Sequence, residues 1–314
     1  MGQYIFGVDL GGTTVKHGLF TVDGKLIDKW EIPTRSKNRG ENLLSDIAAS
    51  VKEAMARHSI SLEQVKGIGL GVPGAVSGDR YVAPCVNLNG WGGDVAGGLS
   101  ELVGCPVKAV NDANSAALGE MWQGGAKGHE NVVFVTLGTG VGGGVIVGGR
   151  LVSGTHGAGG EIGHIKVNDG ETKPCGCGKR GCLEQYASAT GILREAKRRL
   201  AADDDISTKL RTFEPLTVKD IFDCAKEGDE MALSIVDFFA ENLGKALANI
   251  SCVCDPEVFV IGGGISAAGQ IILDKVEAVY RKYAFPASEE TKFVLASLGN
   301  DAGICGCARL MLGE

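Results

Sequence analysis

The fold class the sequence predicts is α/β, built as two lobes with a cleft between them, and three observations carry it. The chain has 314 residues, enough for two domains of ordinary size, each with its own hydrophobic core. Apolar strand-like runs alternate with segments of helical periodicity. A strand, a turn of glycines and threonines, and a second strand open the chain and return in similar form in its second half, a weak internal repeat. Hydrophobic residues make up 44% and charged residues 22%, as in globular proteins, and the formal net charge of -7 disfavours a nucleic-acid partner. No apolar run approaches the roughly 18 residues of a membrane helix, and MGQYIFGVDL runs straight into a strand pattern without a basic leader. A cytoplasmic protein without a membrane partner is expected.

Taken in order, YIFGVDL (4–10) and VKHGLFTV (15–22) are β-rich and flank the turn, and DGK (23–25) reverses the chain into LIDKWEI (26–32). This is a meander; a dinucleotide fingerprint would pass from the glycines into a helix. ENLLSDIAASVKEAMARH (41–58) has helical spacing, and VKGIGLGVPG (65–74) and PVKAV (106–110) read as buried strands. AVNDANSAALGEMW (109–122) sets Asn111 and Asp112 at the start of a helix. NVVFVTLGTGVGGGVIVGGRLV (131–152) repeats the opening design. A helix at about 186–202, the acidic loop 203–205, helices at 217–227 and 230–250 and the strand VFVIGGGIS (258–266) follow. AGICGCARLML (302–312) reads as a terminal helix. The expected division is a first lobe of residues 1–118, with 300–314 packing back on it, and a larger second lobe of 119–299.

Backbone amides reach phosphate oxygens where the chain approaches closely, so glycines with Thr or Ser hydroxyls make phosphate cradles. DLGGTTVK (9–16) has that chemistry: Asp9 is placed to orient Mg²⁺ through water, Gly11, Gly12, Thr13 and Thr14 to face phosphates, and Lys16 to add charge. An ordinary hairpin turn accounts for the same residues. LGTGVGGG (137–144) and IGGGIS (261–266) are further glycine turns at strand ends. Gly138, Gly140 and Gly143 formally match GxGxxG, but strand-like VIVGG follows them, and no GxxxxGK[ST] occurs. A phosphate clamp of hairpin turns from two lobes remains.

Phosphoryl transfer to a hydroxyl needs a base near the attacking oxygen, and Asp112 just beyond a strand would serve. Helix capping by Asp112 or Asn114 is the plainer reading. His164, Cys175, Cys177 and Cys182 in GAGGEIGHIKVNDGETKPCGCGKRGCLEQ (157–185) offer one imidazole and three thiolates, a set suited to tetrahedral structural Zn²⁺. Unligated thiols in a turn are the alternative. The remaining pairs among the ten cysteines, CVC (252–254) and CGC (305–307), read as core residues. His17, His58, His129 and His156 have no matching partners. Glu161 and Glu184 flank the proposed metal ligands, and with Asn111 and Asp112 they form a hydrogen-bonding set for a polyol, or else a solvated charge cluster. Gly74 of VPGAV (72–76) and Asn89 and Trp91 of VNLNGW (86–91) are candidate pocket walls, Trp91 equally a core residue.

DLGGTTVK, VPGAV, NLNGW, NDANSAALGE, TLGTGVGGG, GGEIGH, CGCGKRGCLE, IGGGIS and GNDAG, in this order over nearly the whole chain, resemble the ROK family of sugar kinases. GEIGH followed by CGCGKRGCLE is the specific part. Within the family the likeness is greatest to bacterial glucokinases. The resemblance implies an actin-like, ribonuclease-H-like pair of lobes closing on ATP and a hexose, usually as a homodimer or homotetramer. It implies Asp112 as the base for the sugar 6-hydroxyl, and Asn111, Glu161, His164 and Glu184 as sugar ligands with Gly74 and Asn89. His164 would also bind zinc with Cys175, Cys177 and Cys182. The nucleotide clamp would be Asp9, Gly11, Gly12, Thr13, Thr14 and Lys16 with Thr139, Gly140 and Gly263. Val110 stands where a Glu is common in relatives, a departure that leaves the base in place. Rival expectations are a kinase for fructose, mannose, allose, N-acetylmannosamine or N-acetylglucosamine, and a non-catalytic sugar sensor. A repressor of the same family would carry a DNA-binding segment ahead of the first strand, which here begins by residue 4.

Overall fold

The computed structural model describes residues 3–85, 88–202 and 206–313, with the Arg39 side chain set aside. The acidic loop expected at 203–205, and Val86 and Asn87 of VNLNGW, lie outside the described residues. The chain separates into two compact units, one of residues 1–130, 144–160 and 297–314, the other of 131–143 and 161–296.

In the first unit, β1 (Tyr4–Leu10), β2 (Thr14–Thr21) and β3 (Leu26–Pro33) form the meander, followed by α1 (Lys37–Gly40), α2 (Leu43–Arg57) and β4 (Val65–Val72). Then come β5 (Val76–Ser77), β6 (Tyr81–Cys85), β7 (Trp91–Asp94), α3 (Val95–Val103), β8 (Val107–Asn111) and α4 (Asp112–Gln123). The main sheet runs β3-β2-β1-β4-β8, antiparallel through the meander and parallel from β1 to β8. β1 and β4 are buried almost throughout, as strands covered on both faces must be. On one face, α2 buries Leu43, Ile47, Val51 and Ala54, a single helical stripe.

Four elements of this unit are poorly marked in the sequence. β5, β6 and β7 make a small antiparallel sheet of strands too short to show alternation. α3 contains two glycines that lower helix propensity, and its ends compensate: Asp94 accepts from the Gly97 amide at 3.0 Å, and Gly104 ends the helix left-handed at φ 92.

The second unit contains β9 (Val132–Leu137) and the start of β10 (Val141–Val147), which pairs antiparallel with β11 (Arg150–Leu151). It continues with α5 (Glu184–Ala187), α6 (Ala189–Ala202), α7 (Val218–Lys226), α8 (Glu230–Cys254), β12 (Val258–Gly262), α9 (Gln270–Tyr283) and β13 (Lys292–Leu295). β12 pairs in parallel with β9 on one side and β13 on the other. α7 carries a complete capping box between Thr217 and Asp220, and the helix expected over 186–202 is broken at Ser188 into α5 and α6.

The last helix, α10 (Ala302–Leu310), belongs to the first unit and lies on α4, β1 and β4. It does so at backbone distance: a Cβ on Gly306 would stand 1.6 Å from the Ser115 carbonyl, and one on Gly69 1.8 Å from the Cys307 carbonyl. Glu120, fully buried in α4, accepts from the amides of Gly125, Ser297 and Leu298 and so ties down the approach to α10. The expected lobe boundary after residue 118 would fall inside α4. One expectation needs correction: Cys252 is exposed and Cys254 only half-buried, with Val253 87% exposed, because Cys252 and Val253 fall with Asn249 on the solvent face of α8 while Ile250 and Ser251 of the same turn stay buried. Cys305 and Cys307 are buried.

Candidate active site

In the first unit, β1 delivers Asp9 to the sheet end, opposite Lys16 on β2. The intervening turn closes through the Gly11 amide donating to the Thr14 carbonyl at 3.0 Å. Thr34 braces it, its amide donating to Thr13 at 2.8 Å and its hydroxyl to Gly11 at 2.7 Å, and Gly12 and Thr13 stay exposed. Burial pushes the Asp9 carboxyl up to about 6; the nearby Asp112 carboxylate adds to the shift and Lys16 opposes it.

Asp112 is the first residue of α4. The helix is capped not by Asp112 or Asn114 but by Asn111, whose Oδ1 accepts from the amides of Ala113 at 2.9 Å and Asn114 at 3.2 Å. Asn111 Nδ2 donates to the Gly74 carbonyl at 3.2 Å, which joins two expected sugar ligands directly. Asp112 Oδ1 also accepts from Ala113, at 2.9 Å. Its side chain is open to solvent yet crowded by protein around it. Desolvation therefore raises its pKa, against the pull of the Ala113 amide and Asn111. Asn89 is exposed and donates through Nδ2 to Ser36 at 3.0 Å. Trp91, 7% exposed, belongs to the core.

In the second unit, His164, Cys175, Cys177 and Cys182 bring four ligand atoms within 4.8 Å of one another. Cys175 Sγ is 3.7 Å from His164 Nδ1 and Cys177 Sγ 3.7 Å from Cys182 Sγ. Tetrahedral zinc with bonds of about 2.3 Å to sulfur needs sulfur atoms about 3.8 Å apart, so the cluster has the right size. The loop is shaped by Cys175 donating its amide to Lys179 at 2.7 Å and by isolated bridges between Pro174 and Arg180 and between Lys166 and Cys182. Burial pushes the Cys175 thiol up to about 12 and raises Cys182, while the Lys179 amide lowers Cys177, so ionising Cys175 and Cys182 calls for a cation among them.

Both flanking carboxylates touch this cluster. Glu161 Oε2 lies 3.9 Å from His164 Nε2, on the ring edge away from the thiols. Glu184 sets Oε1 3.4 Å from Cys175 Sγ and accepts at Oε2 from the Val141 amide at 3.3 Å. Gly140 is required for that approach, since a Cβ there would stand 2.2 Å from Glu184 Oε2. The Gly138–Gly140 turn docks on the start of α6, where Ala189 donates to Gly138 at 2.8 Å and the Thr190 hydroxyl to Thr139 at 3.2 Å. Gly263, at φ 82, backs onto the Leu137 backbone.

Sequence reasoning missed a largely apolar cavity of about 370 Å³ beside this turn, bounded by Thr139, Val218, Phe222, Gly264 and Ile265. Its walls come from four segments distant in sequence; the signal available was the amphipathic run VKDIFDCAK after a capping Thr.

Residues 5–314 match the profile of the ROK family. The chain belongs to the ROK family. This ROK protein is 41% identical over 308 residues to the glucokinase of Halalkalibacterium halodurans, covering 97% of this chain and 93% of that one. Among solved structures it is similar to the ROK hexokinase of Thermus thermophilus, at TM-score 0.82 and 32% identity over 98% of this chain and 97% of that one. It is also similar to a ROK glucokinase from Streptomyces griseus in complex with glucose and AMPPNP, at TM-score 0.75 and 32% identity over 98% of both. The fold of this ROK chain is accordingly the two-lobed α/β fold of actin-like ATPases. Among the described residues, no helix is long and apolar enough to cross a membrane.

Proposed function

We propose that the chain is an ATP-dependent glucokinase, a cytoplasmic homo-oligomer whose product, glucose 6-phosphate, enters glycolysis. The observation that carries this reading is Asp112: a carboxylate at the first position of α4, raised in pKa by desolvation and held by the Ala113 amide. Such a group is a stronger base than an ordinary aspartate and is fixed in direction. In the proposed reaction the 6-hydroxyl oxygen of glucose attacks the γ-phosphorus of ATP. The new O–P bond forms as the bond to the β,γ-bridging oxygen breaks, ADP leaves, and the hydroxyl proton passes to Asp112. The loose transition state asks mainly for positioning and for neutralised charge.

Glucose would be held by Glu161, His164 and Glu184 with Asn89, Gly74 and the Asn111 amide. The capping bonds occupy both Oδ1 lone pairs of Asn111 and the Gly74 carbonyl takes one Nδ2 hydrogen, which leaves the second Nδ2 hydrogen for the sugar. Phosphates would lie against Gly11, Gly12, Thr13, Thr14 and Lys16 and against Thr139, Gly140 and Gly263, with adenine in the apolar cavity beside Thr139. Asp9 would hold Mg²⁺ through water, and the ion, when bound, neutralises developing phosphate charge. Zinc would be held by His164 Nδ1, Cys175, Cys177 and Cys182, leaving His164 Nε2 free of the metal.

The test is ADP release with Mg·ATP against glucose, fructose, mannose, allose, N-acetylmannosamine and N-acetylglucosamine. Turnover on glucose at least tenfold above every other sugar supports the reading. Preference for another sugar replaces the substrate, and no turnover on any of them removes the kinase reading.

A further inference from the structure

Away from the residues assigned above, the second unit has an open pocket of about 760 Å³ between the zinc loop and helices α6 and α8. Five cations line it, Lys173, Arg194, Lys197, Arg198 and Arg199, against two carboxylates, Glu171 and Glu195. This concentration of positive charge stands on a chain whose net charge is -7.

The two carboxylates are already committed. Glu195 divides its oxygens between Arg198, held through Nε at 2.8 Å and Nη2 at 2.7 Å, and Arg199 Nε at 2.7 Å. Glu171 accepts from the Lys173 amide at 3.0 Å, the Tyr186 hydroxyl at 2.8 Å and Arg194 Nη2 at 2.9 Å. These contacts, the Lys173 amide first, bring its pKa down to about 2, so it stays ionised. Each arginine retains unused N–H donors, and neither Lys173 nor Lys197 has an ion-pair partner among the described residues. Guanidinium groups prepositioned by ion-paired carboxylates are suited to forked contacts with phosphate oxygens, and free ammonium groups add charge. The floor is apolar, with Tyr186 and Phe238 under the Arg194 and Arg199 guanidinium groups at 5.3 and 5.8 Å.

Lys173 and Arg194 also line a second cavity of about 330 Å³ that reaches Thr139, Gly140, Cys175 and Glu184. Arg194 Nη2 donates to the Gln185 carbonyl at 2.9 Å, next to Glu184. A ligand that drew Arg194 toward itself would thus pull on the segment that carries Glu184.

We infer that this pocket is a second ligand site, for a phosphorylated anion bearing two or more negative charges, distinct from the nucleotide turns. Its source is a phosphate ester or a condensed phosphate, which share the oxyanion chemistry the pocket reads. The test is isothermal titration of the full-length protein, with AMPPNP saturating the nucleotide site, using glucose 6-phosphate in one arm and inorganic tripolyphosphate in the other. The double variant Lys197→Ala/Arg198→Ala is titrated alongside, and its glucose phosphorylation without added anion, expected at the wild-type rate, reports its fold. One further equivalent of either probe is expected to bind, and the double variant to weaken it at least tenfold. The arm that binds more tightly identifies the source. Binding unchanged in the double variant, or no binding of either probe, overturns the inference. Because the readout is binding, with glucose turnover serving only as a check that the double variant is intact, a failure of the anion site is told apart from a failure of the glucokinase reading: absence of glucose turnover in the wild-type control tests the latter, and the wild-type titration the former.

Discussion

Glu184 places one carboxylate oxygen 3.4 Å from the Cys175 thiol and presents the other to the Val141 amide at 3.3 Å. One side chain therefore spans the zinc loop and the end of the glycine turn before β10. Replacing Glu184 by Gln keeps its size and removes its charge. A hydrogen bond from a sugar hydroxyl to a charged acceptor contributes roughly 1.5–3 kcal/mol, so KM for glucose should rise by about 10- to 150-fold. The KM for ATP should stay within about threefold. Steady-state kinetics in both substrates checks this, and an equal rise in both values would detach Glu184 from the sugar.

The Asp112→Asn variant isolates the proposed base. It preserves the side-chain oxygen that accepts from Ala113 at 2.9 Å but cannot take a proton. Loss of general-base catalysis lowers turnover by about 10²- to 10⁴-fold, while glucose affinity measured by calorimetry should change little. Turnover near the wild-type rate would refute the role.

Zinc removal should act on the sugar before the nucleotide. Three of the four ligands sit on the 175–182 loop, and Glu184 and Glu161 touch Cys175 and His164. Chelation, or Cys177→Ala, is expected to raise KM for glucose at least tenfold and to lower the melting temperature, with ATP affinity changed far less. Metal content by atomic spectroscopy is measured on the same samples; full sugar affinity in metal-free protein would contradict the expectation.

Local chemistry was the legible part of this sequence. The four residues proposed as zinc ligands lie within one short stretch, so their types and spacing sufficed to name a set that the structure brings within 4.8 Å. The hairpin turns were legible because glycines and threonines follow strands of plain apolar character. What long-range packing decides was not. The apolar cavity gathers walls from residues near 138, 218–223 and 264–268, none of which marks the others. Buried Glu120 serves three backbone amides, two of them far along the chain. The exposed Cys252 lies on the solvent face of α8 with Asn249 and Val253, a face that the apolar run around it conceals. At the start of α4, Asp112, Asn111 and Asn114 are all good capping types, and only the geometry distinguishes Asn111.

Asp9 should show a conflict between stability and function. Its folded pKa is raised, from 3.8 to about 6, so the native state holds a proton the unfolded chain has released between these values. The group therefore costs stability fully above about pH 6 and nothing below pH 3.8, by roughly 1–3 kcal/mol. Asp9→Asn is expected to raise stability at pH 8 and to abolish that difference at pH 4, while weakening Mg²⁺ dependence of turnover at least tenfold. Denaturant titrations at the two pH values and Mg²⁺ titrations of rate check both halves.

His17 gives the opposite sign. It is fully buried in β2 and stacks on Trp30 with ring centroids 5.1 Å apart. Neither ring nitrogen reaches a partner with hydrogen-bond geometry, though the Val15 backbone lies near enough to oppose the shift slightly. Burial lowers its pKa from 6.5 to about 4. The unfolded chain thus takes up a proton as pH falls through 6.5 while the folded protein declines it until about 4. Stability is complete above pH 6.5 and drains away between these values, by up to about 3 kcal/mol. His17→Phe preserves the stack on Trp30 and removes the titration. Melting temperatures of the variant should fall less steeply than those of the wild type from pH 7 to pH 4.5, and parallel curves would show that acid sensitivity originates elsewhere.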